Sequence, residues 1–321
     1  MKKAKLTFTM LASTLLISSC AVTSSSSSGK SSDDGSGSET STINSEESSL
    51  QSEYGEFSIS NTKNGSAPVF DDSRNVYTIQ VSEGKAIYTC SGYLNGKIEI
   101  LNSSSLASYK GVELIMNDCY IKNDDDGIAV DYQPSGKYVQ IDVESGKKAT
   151  IVSNGVAINS ENNLRFGGDG TLKVVSNNSH GLKGEKIGCY GGGNIDIEAS
   201  ADAIHGHDFY TNNLEDTDTI DFSGVLSLRG GSSEQALDLC DGSGSEDDPW
   251  VGSVYIGSAA TVNVSGAGNV GRANILFQVD GTLDANNITG NPLITKLEGA
   301  LSVVVNGSFT VNGTAIESMT V

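Results

Sequence analysis

Carboxylates gather at one recurring kind of place in this chain. Asp124, Asp125, Asp126 and Asp131 surround the step Asp126-Gly127-Ile128, Asp202 and Asp208 bracket Asp202-Ala203-Ile204, and Asp238 with Asp241 follows Gln235-Ala236-Leu237. Counted from the polar residue that opens each step, Asp208 and Asp241 share offset six, while Asp131 and Glu185 share offset five. If the repeats stack, equal offsets lie one above another at about 4.8 Å, where unneutralised carboxylates repel. A hard cation relieves that conflict, because calcium takes about six to eight oxygen ligands from carboxylates, carbonyls and water. The expected Ca²⁺ ligands are Asp202, Asp208, Asp238 and Asp241, with Asp126 and Asp131 as a second group. His205 and His207 flank Gly206 and share one side of a strand. They lack an identifiable third ligand for zinc or copper.

The elements that position these residues follow from the step itself. It recurs as Asp126-Gly127-Ile128, Asn154-Gly155-Val156, His180-Gly181-Leu182, Asp202-Ala203-Ile204 and Gln235-Ala236-Leu237, at intervals of 28, 26, 22 and 33 residues. A self-similar period of this size marks stacked repeats. Between the steps, Ile195-Asp196-Ile197-Glu198-Ala199 and Leu172-Lys173-Val174 alternate with the period of a half-buried strand. The 38 glycines against four prolines indicate many tight turns. The repeat is too short for a propeller blade and lacks a leucine-rich pattern, so three short strands per turn are expected: an all-β, right-handed parallel β-helix with capped ends. The small residue of each step lets the backbone corner tightly, and the apolar one points inward.

Three segments are expected along the chain. Residues 1–19 read as a lipoprotein signal peptide: Lys2, Lys3 and Lys5 precede the apolar stretch from Leu6 to Ile17, and Ile17-Ser18-Ser19-Cys20 ends it. Cys20 is the expected lipidation site, which would hold the chain to a membrane surface by acyl chains alone. Residues 20–53 carry that cysteine and a Ser-rich, disordered tether. Residues 54–321 form the β-helix, with its first strands and cap within Gly84 to Ile100 and its last within Leu301 to Val311. Cys90, Cys119, Cys189 and Cys240 are too widely spaced to require disulfides and lack metal-binding spacing.

The formal charge of −20 disfavours nucleic acid as a partner. Gly168-Asp169-Gly170-Thr171-Leu172-Lys173-Val174, Ser179-His180-Gly181-Leu182-Lys183-Gly184, Asn194-Ile195-Asp196-Ile197 and Ala201-Asp202-Ala203-Ile204-His205-Gly206 together resemble the bacterial carbohydrate-binding β-helix lipoproteins, which bind cellulose and acidic sugars such as polygalacturonate. That family looks like a pectate lyase in fold, carries calcium and is exported with a lipid anchor. The resemblance is strongest over residues 160–245, and at His180 and Gln235 the chain departs from the family's acidic pattern.

The resemblance implies a monomeric protein at the bacterial cell surface that binds polysaccharide without cleaving it. Calcium would bridge sugar and protein carboxylates. His205, His207, Phe209, Tyr210 and Trp250 are the expected sugar contacts. A pectin-active lyase or hydrolase on the same fold is the alternative, although the Gly-His-Gly and Arg-Ile-Lys segments of polygalacturonases are absent. Arg165, Lys183 and Arg229 are the candidate lyase bases. A structural or adhesive surface protein is the third possibility.

Overall fold

Strands that alternate with period two have one apolar face, and three short strands per repeat can hide it only inside a coil that is closed above and below by its neighbours. A computed structural model describes residues 39–81, 84–102, 109–130, 138–161, 163–211, 221–240, 251–291 and 293–317. It shows the expected parallel β-helix, with about 7 turns. Residues from Asn44 onward form one compact unit.

Each turn contributes to three faces. The first face runs through Lys97–Asn102, Ile128–Val130, Ile158–Ser160, the starts of Leu182–Cys189 and Ile204–Tyr210, then Gln235–Leu239 and Asn269–Ala273. The second contains Tyr138–Val143, Asn163–Gly168, the ends of Leu182–Cys189 and Ile204–Tyr210, then Ser253–Ile256, Leu276–Val279 and Ser302–Val305. The third stacks Lys148–Ser153, Thr171–Ser176, Asn194–Ala199, Val225–Arg229, Thr261–Ser265, Thr282–Asn286 and Ser308–Val311.

The core is a set of columns. Ile98, Ile128, Ile158, Leu182, Ile204 and Leu237 are fully buried and successive in register on the first face. Ile151, Val174, Ile197, Leu228, Val264 and Ala285 do the same on the third. Cys90, Cys119, Cys189 and Cys240 are free and buried within this interior.

The pairing corrects the position of one step. Ile158 lies opposite both Ile128 and Leu182, so the corner of that turn is Val156-Ala157-Ile158, two residues beyond Asn154-Gly155-Val156. A slip of two preserves the inward–outward alternation, and Gly155 is as small as Ala157, so patterning alone does not separate the two choices.

Antiparallel strands close the stack, with Ser58–Lys63 on Gly84–Asn95 and Val69–Asp71 on Val76–Val81 at one end, and Thr314–Ala315 on Ser308–Val311 at the other. Capping thus begins earlier than Gly84. The helix Glu39–Tyr54 also starts within the segment expected to be a tether. Its Tyr54 ring packs edge-on against Tyr120 at 5.4 Å, and Glu47 accepts a hydrogen bond from Asn95 at 2.9 Å. Gly55, at φ +79°, takes the left-handed conformation that ends the helix. No described helix is long and apolar enough to cross a membrane.

At Gly181 the corner is at its tightest, since an added Cβ would lie 2.4 Å from Ile197 Cγ2 and 2.7 Å from the Ala203 carbonyl oxygen. Overpacking of this kind costs about 1–3 kcal/mol. Gly181→Val should therefore lower the unfolding free energy measured in urea by that amount, while circular dichroism still reports β-structure.

Candidate functional site

The corner carboxylates are engaged by the chain itself. Asp126 Oδ1 accepts a hydrogen bond from the Val156 amide at 2.9 Å, and its Oδ2 accepts one from Asn159 Nδ2 at 2.9 Å. Asp202 Oδ1 accepts from the Gln235 amide at 3.0 Å, and Asp208 Oδ1 from the Ser253 amide at 3.0 Å. In each case an acid on one turn receives a backbone N–H of the next turn.

Among the described residues, the acids of the expected set do not stand opposite one another in register. Asp208 lies between Lys186 and Ser253 in register, and Asp238 between His205 and Arg272. Asp202 is one coil from His180 on one side and from Gln235 on the other, each opening its own step. In the described members of the expected calcium set, amides take both oxygens of Asp126, Oδ1 of Asp202 and Oδ1 of Asp208, and imidazoles and a guanidinium face Asp202 and Asp238, so few of their oxygens are left for the all-oxygen shell that calcium takes. Asp131, Asp241, Trp250 and Cys20 lie outside the described residues.

One cluster on the first face gathers what the sequence left apart. Arg272 forks onto Asp238, with Nε at 2.7 Å from Oδ1 and Nη2 on Oδ2. His205 Nδ1 lies 3.3 Å from Asp238 Oδ2 and 3.4 Å from Asp202 Oδ2, and His180 Nδ1 lies 3.2 Å from that same Asp202 oxygen. The two imidazoles stack with centroids 4.3 Å apart.

Burial pushes the Asp202 carboxyl upward, but His180, His205 and the Gln235 amide outweigh it and hold the group at about 2. Burial likewise opposes Asp238, which His205 and Arg272 keep below its ordinary value. The two carboxylates, Asp202 foremost, raise His205 to about 9 against the effect of its own burial.

Beside this cluster the first face opens into two adjoining hollows. One, of about 370 Å³, is lined by Glu99, Leu101, Ala129, Val130, Asn159 and Glu161; the next, of about 180 Å³, by Ser160, Glu161, Lys183, Gly184, Glu185 and His207. Glu99, Ala129, Asn159 and Lys183, outward side chains at one-coil spacing, line them, and His205 continues that column beyond the second hollow. Small residues at Ala129 and Gly184 leave the space, and the longer polar ones between them present donors and acceptors of both charges.

The expected sugar contacts divide. His207 lines the second hollow and His205 belongs to the ionic cluster. Phe209 is a correction: it is fully buried between Ile187 and Val254, at an inward position of its strand. Tyr210 is also corrected. It points outward but is only 8% exposed, because its ring lies on Gly188, where an added Cβ would come within 2.4 Å of the ring.

The candidate bases are not brought together either. Arg165 stacks over the Tyr138 ring at 3.7 Å on the second face, Arg229 pairs with Glu198 at 3.6 Å on the third, and only Lys183 reaches the hollows. Sequence reasoning missed Arg272 and the role of His180. Arg272 lies beyond the last recognised step, and His180 was set aside because it is not acidic.

Residues 73–217 match the model of a family described as "Carbohydrate-binding domain-containing protein". That span includes both hollows, and the match supports a carbohydrate-binding β-helix. No curated protein and no solved structure matches the chain significantly.

Removing one partner of a buried ion pair leaves the other charge uncompensated, at a cost of about 2–4 kcal/mol for a pair as partly open as this one. Arg272→Met should lower stability by that amount in chemical denaturation. The double variant Arg272→Met, Asp238→Leu should recover most of the loss.

Proposed function

We propose that the hollows between Glu99 and His207 hold a segment of polysaccharide and do not cleave it. The observation that carries this reading is the coincidence of two adjoining, polar-lined hollows with the span that matches a carbohydrate-binding family. Sugar hydroxyls both donate and accept, and a column that presents the Glu99 carboxylate, the Asn159 amide and the Lys183 ammonium one or two coils apart serves both needs. Lys183 supplies a positive counter-charge for a uronate, which favours acidic sugars. A lyase would need a base beside its cation, yet two of the three candidate bases lie on other faces. The pair Glu161 and Glu185 beside one hollow is the feature a hydrolase reading would use.

Retention on polygalacturonate and on cellulose tests the proposal. Wild-type protein should be retained on polygalacturonate, and Lys183→Glu should weaken binding roughly tenfold, equivalent to about 1.4 kcal/mol. Lys183 is exposed, so folding should be unaffected. Equal binding by the variant, or no retention of the wild type on any glycan, would refute the assignment. New reducing or unsaturated ends would establish the enzymatic alternative instead.

We further propose that the chain is exported and held at the bacterial surface through an acylated Cys20, as the first twenty residues suggest. Cys20→Ala should move the protein from the membrane fraction to the soluble one.

A further inference from the structure

The ionic cluster has a feature that its hydrogen bonds do not explain. His180 Nδ1 and His205 Nδ1 are both buried atoms, and neither meets hydrogen-bond geometry with any described partner. Both nonetheless converge on a single oxygen, Asp202 Oδ2, at 3.2 and 3.4 Å. The contacts are close enough for charge attraction but bent away from the line a proton would take. The other oxygen of Asp202 is held by the Gln235 amide, which fixes the carboxylate so that Oδ2 faces the imidazoles.

The two nitrogen-to-oxygen distances are those of a coordination shell. An ion about 2.0–2.1 Å from nitrogen and oxygen ligands in tetrahedral geometry sets neighbouring ligand atoms roughly 3.3 Å apart. The two Nδ1 atoms and the carboxylate oxygen all lie within 4.8 Å of one another. Charge points the same way. Arg272 neutralises Asp238, whereas the groups that face Asp202 Oδ2 are the two imidazoles.

We propose that His180, Asp202 and His205 bind one divalent transition-metal ion of the zinc class through Nδ1, Oδ2 and Nδ1. Imidazole nitrogen selects such ions over calcium, which prefers an all-oxygen shell. With Asp238 held by Arg272, three ligands come from this chain and leave a position for water or a ligand oxygen. His180 and His205 are 26% and 22% exposed, so the ion can enter from solvent. His207 takes no part, and the proposal is independent of polysaccharide binding.

The test is a titration of the full chain, stripped with a chelator, with Co²⁺ as a spectroscopic probe. One equivalent of cobalt should produce visible d–d absorption, which Zn²⁺ should abolish and excess Ca²⁺ should not. His180→Ala and His205→Gln should each weaken cobalt binding at least tenfold, while His207→Ala should titrate as wild type. His180 lies at a partly exposed corner, so His180→Ala should keep the native circular dichroism. If it did not, His205→Gln alone would decide. Absence of saturable binding by the folded wild-type protein would overturn the site, as would unchanged affinity in both histidine variants or an equal loss in His207→Ala.

Discussion

A turn of three short strands has no interior until another turn is laid on it, and this dependence of each coil on its neighbours governs everything else in the molecule. It forces apolar residues into continuous columns such as Ile98, Ile128, Ile158, Leu182, Ile204 and Leu237. It makes corners small, as at Gly181 beneath Ala203. At two corners a side chain of the preceding turn takes the backbone N–H, Asp126 that of Val156 and Asp202 that of Gln235.

The same lattice imposes a rule on charge. Outward side chains stand one coil apart, close enough that like charges would repel strongly wherever water is excluded. The first face answers, at its ionic cluster, by alternation: His205 next to Asp238, and Asp238 next to Arg272. Where the column is closed, at Asp202 and Asp238, the groups pair tightly and their protonation is shifted. Where small residues at Ala129 and Gly184 open it, similar chemistry stays accessible along the hollows. A buried ionic corner and an open polar groove are therefore two outcomes of one periodic surface, separated by the size of the residues between them.

Much of this was legible in the chain. The recurring step and the period-two strands lead to the parallel β-helix, because stacking requires small corners and alternating sides, and both are properties of residue type. The acids at those corners were also visible, with Asp202 read as a calcium ligand and His205 as a sugar contact. Their partners were not. Offsets within a repeat suggested that Asp208 stacks with another acid, but turns of unequal length shift the pairing, and Asp208 instead meets Lys186 and Ser253. For the same reason the second step was placed two residues early. Phe209 and Tyr210 were misjudged because a sequence does not say which side of a bent strand is covered, and Gly188 is what lets the Tyr210 ring lie flat.

By itself the sequence determined the repeat, the strand period, the small corners and the acids beside them, since each follows from size, polarity or spacing along the chain. Only the tertiary structure decided which residues stand one coil apart. That choice depends on backbone register across turns of unequal length. It brought His180 and His205 to one oxygen of Asp202 and gave Asp238 to Arg272.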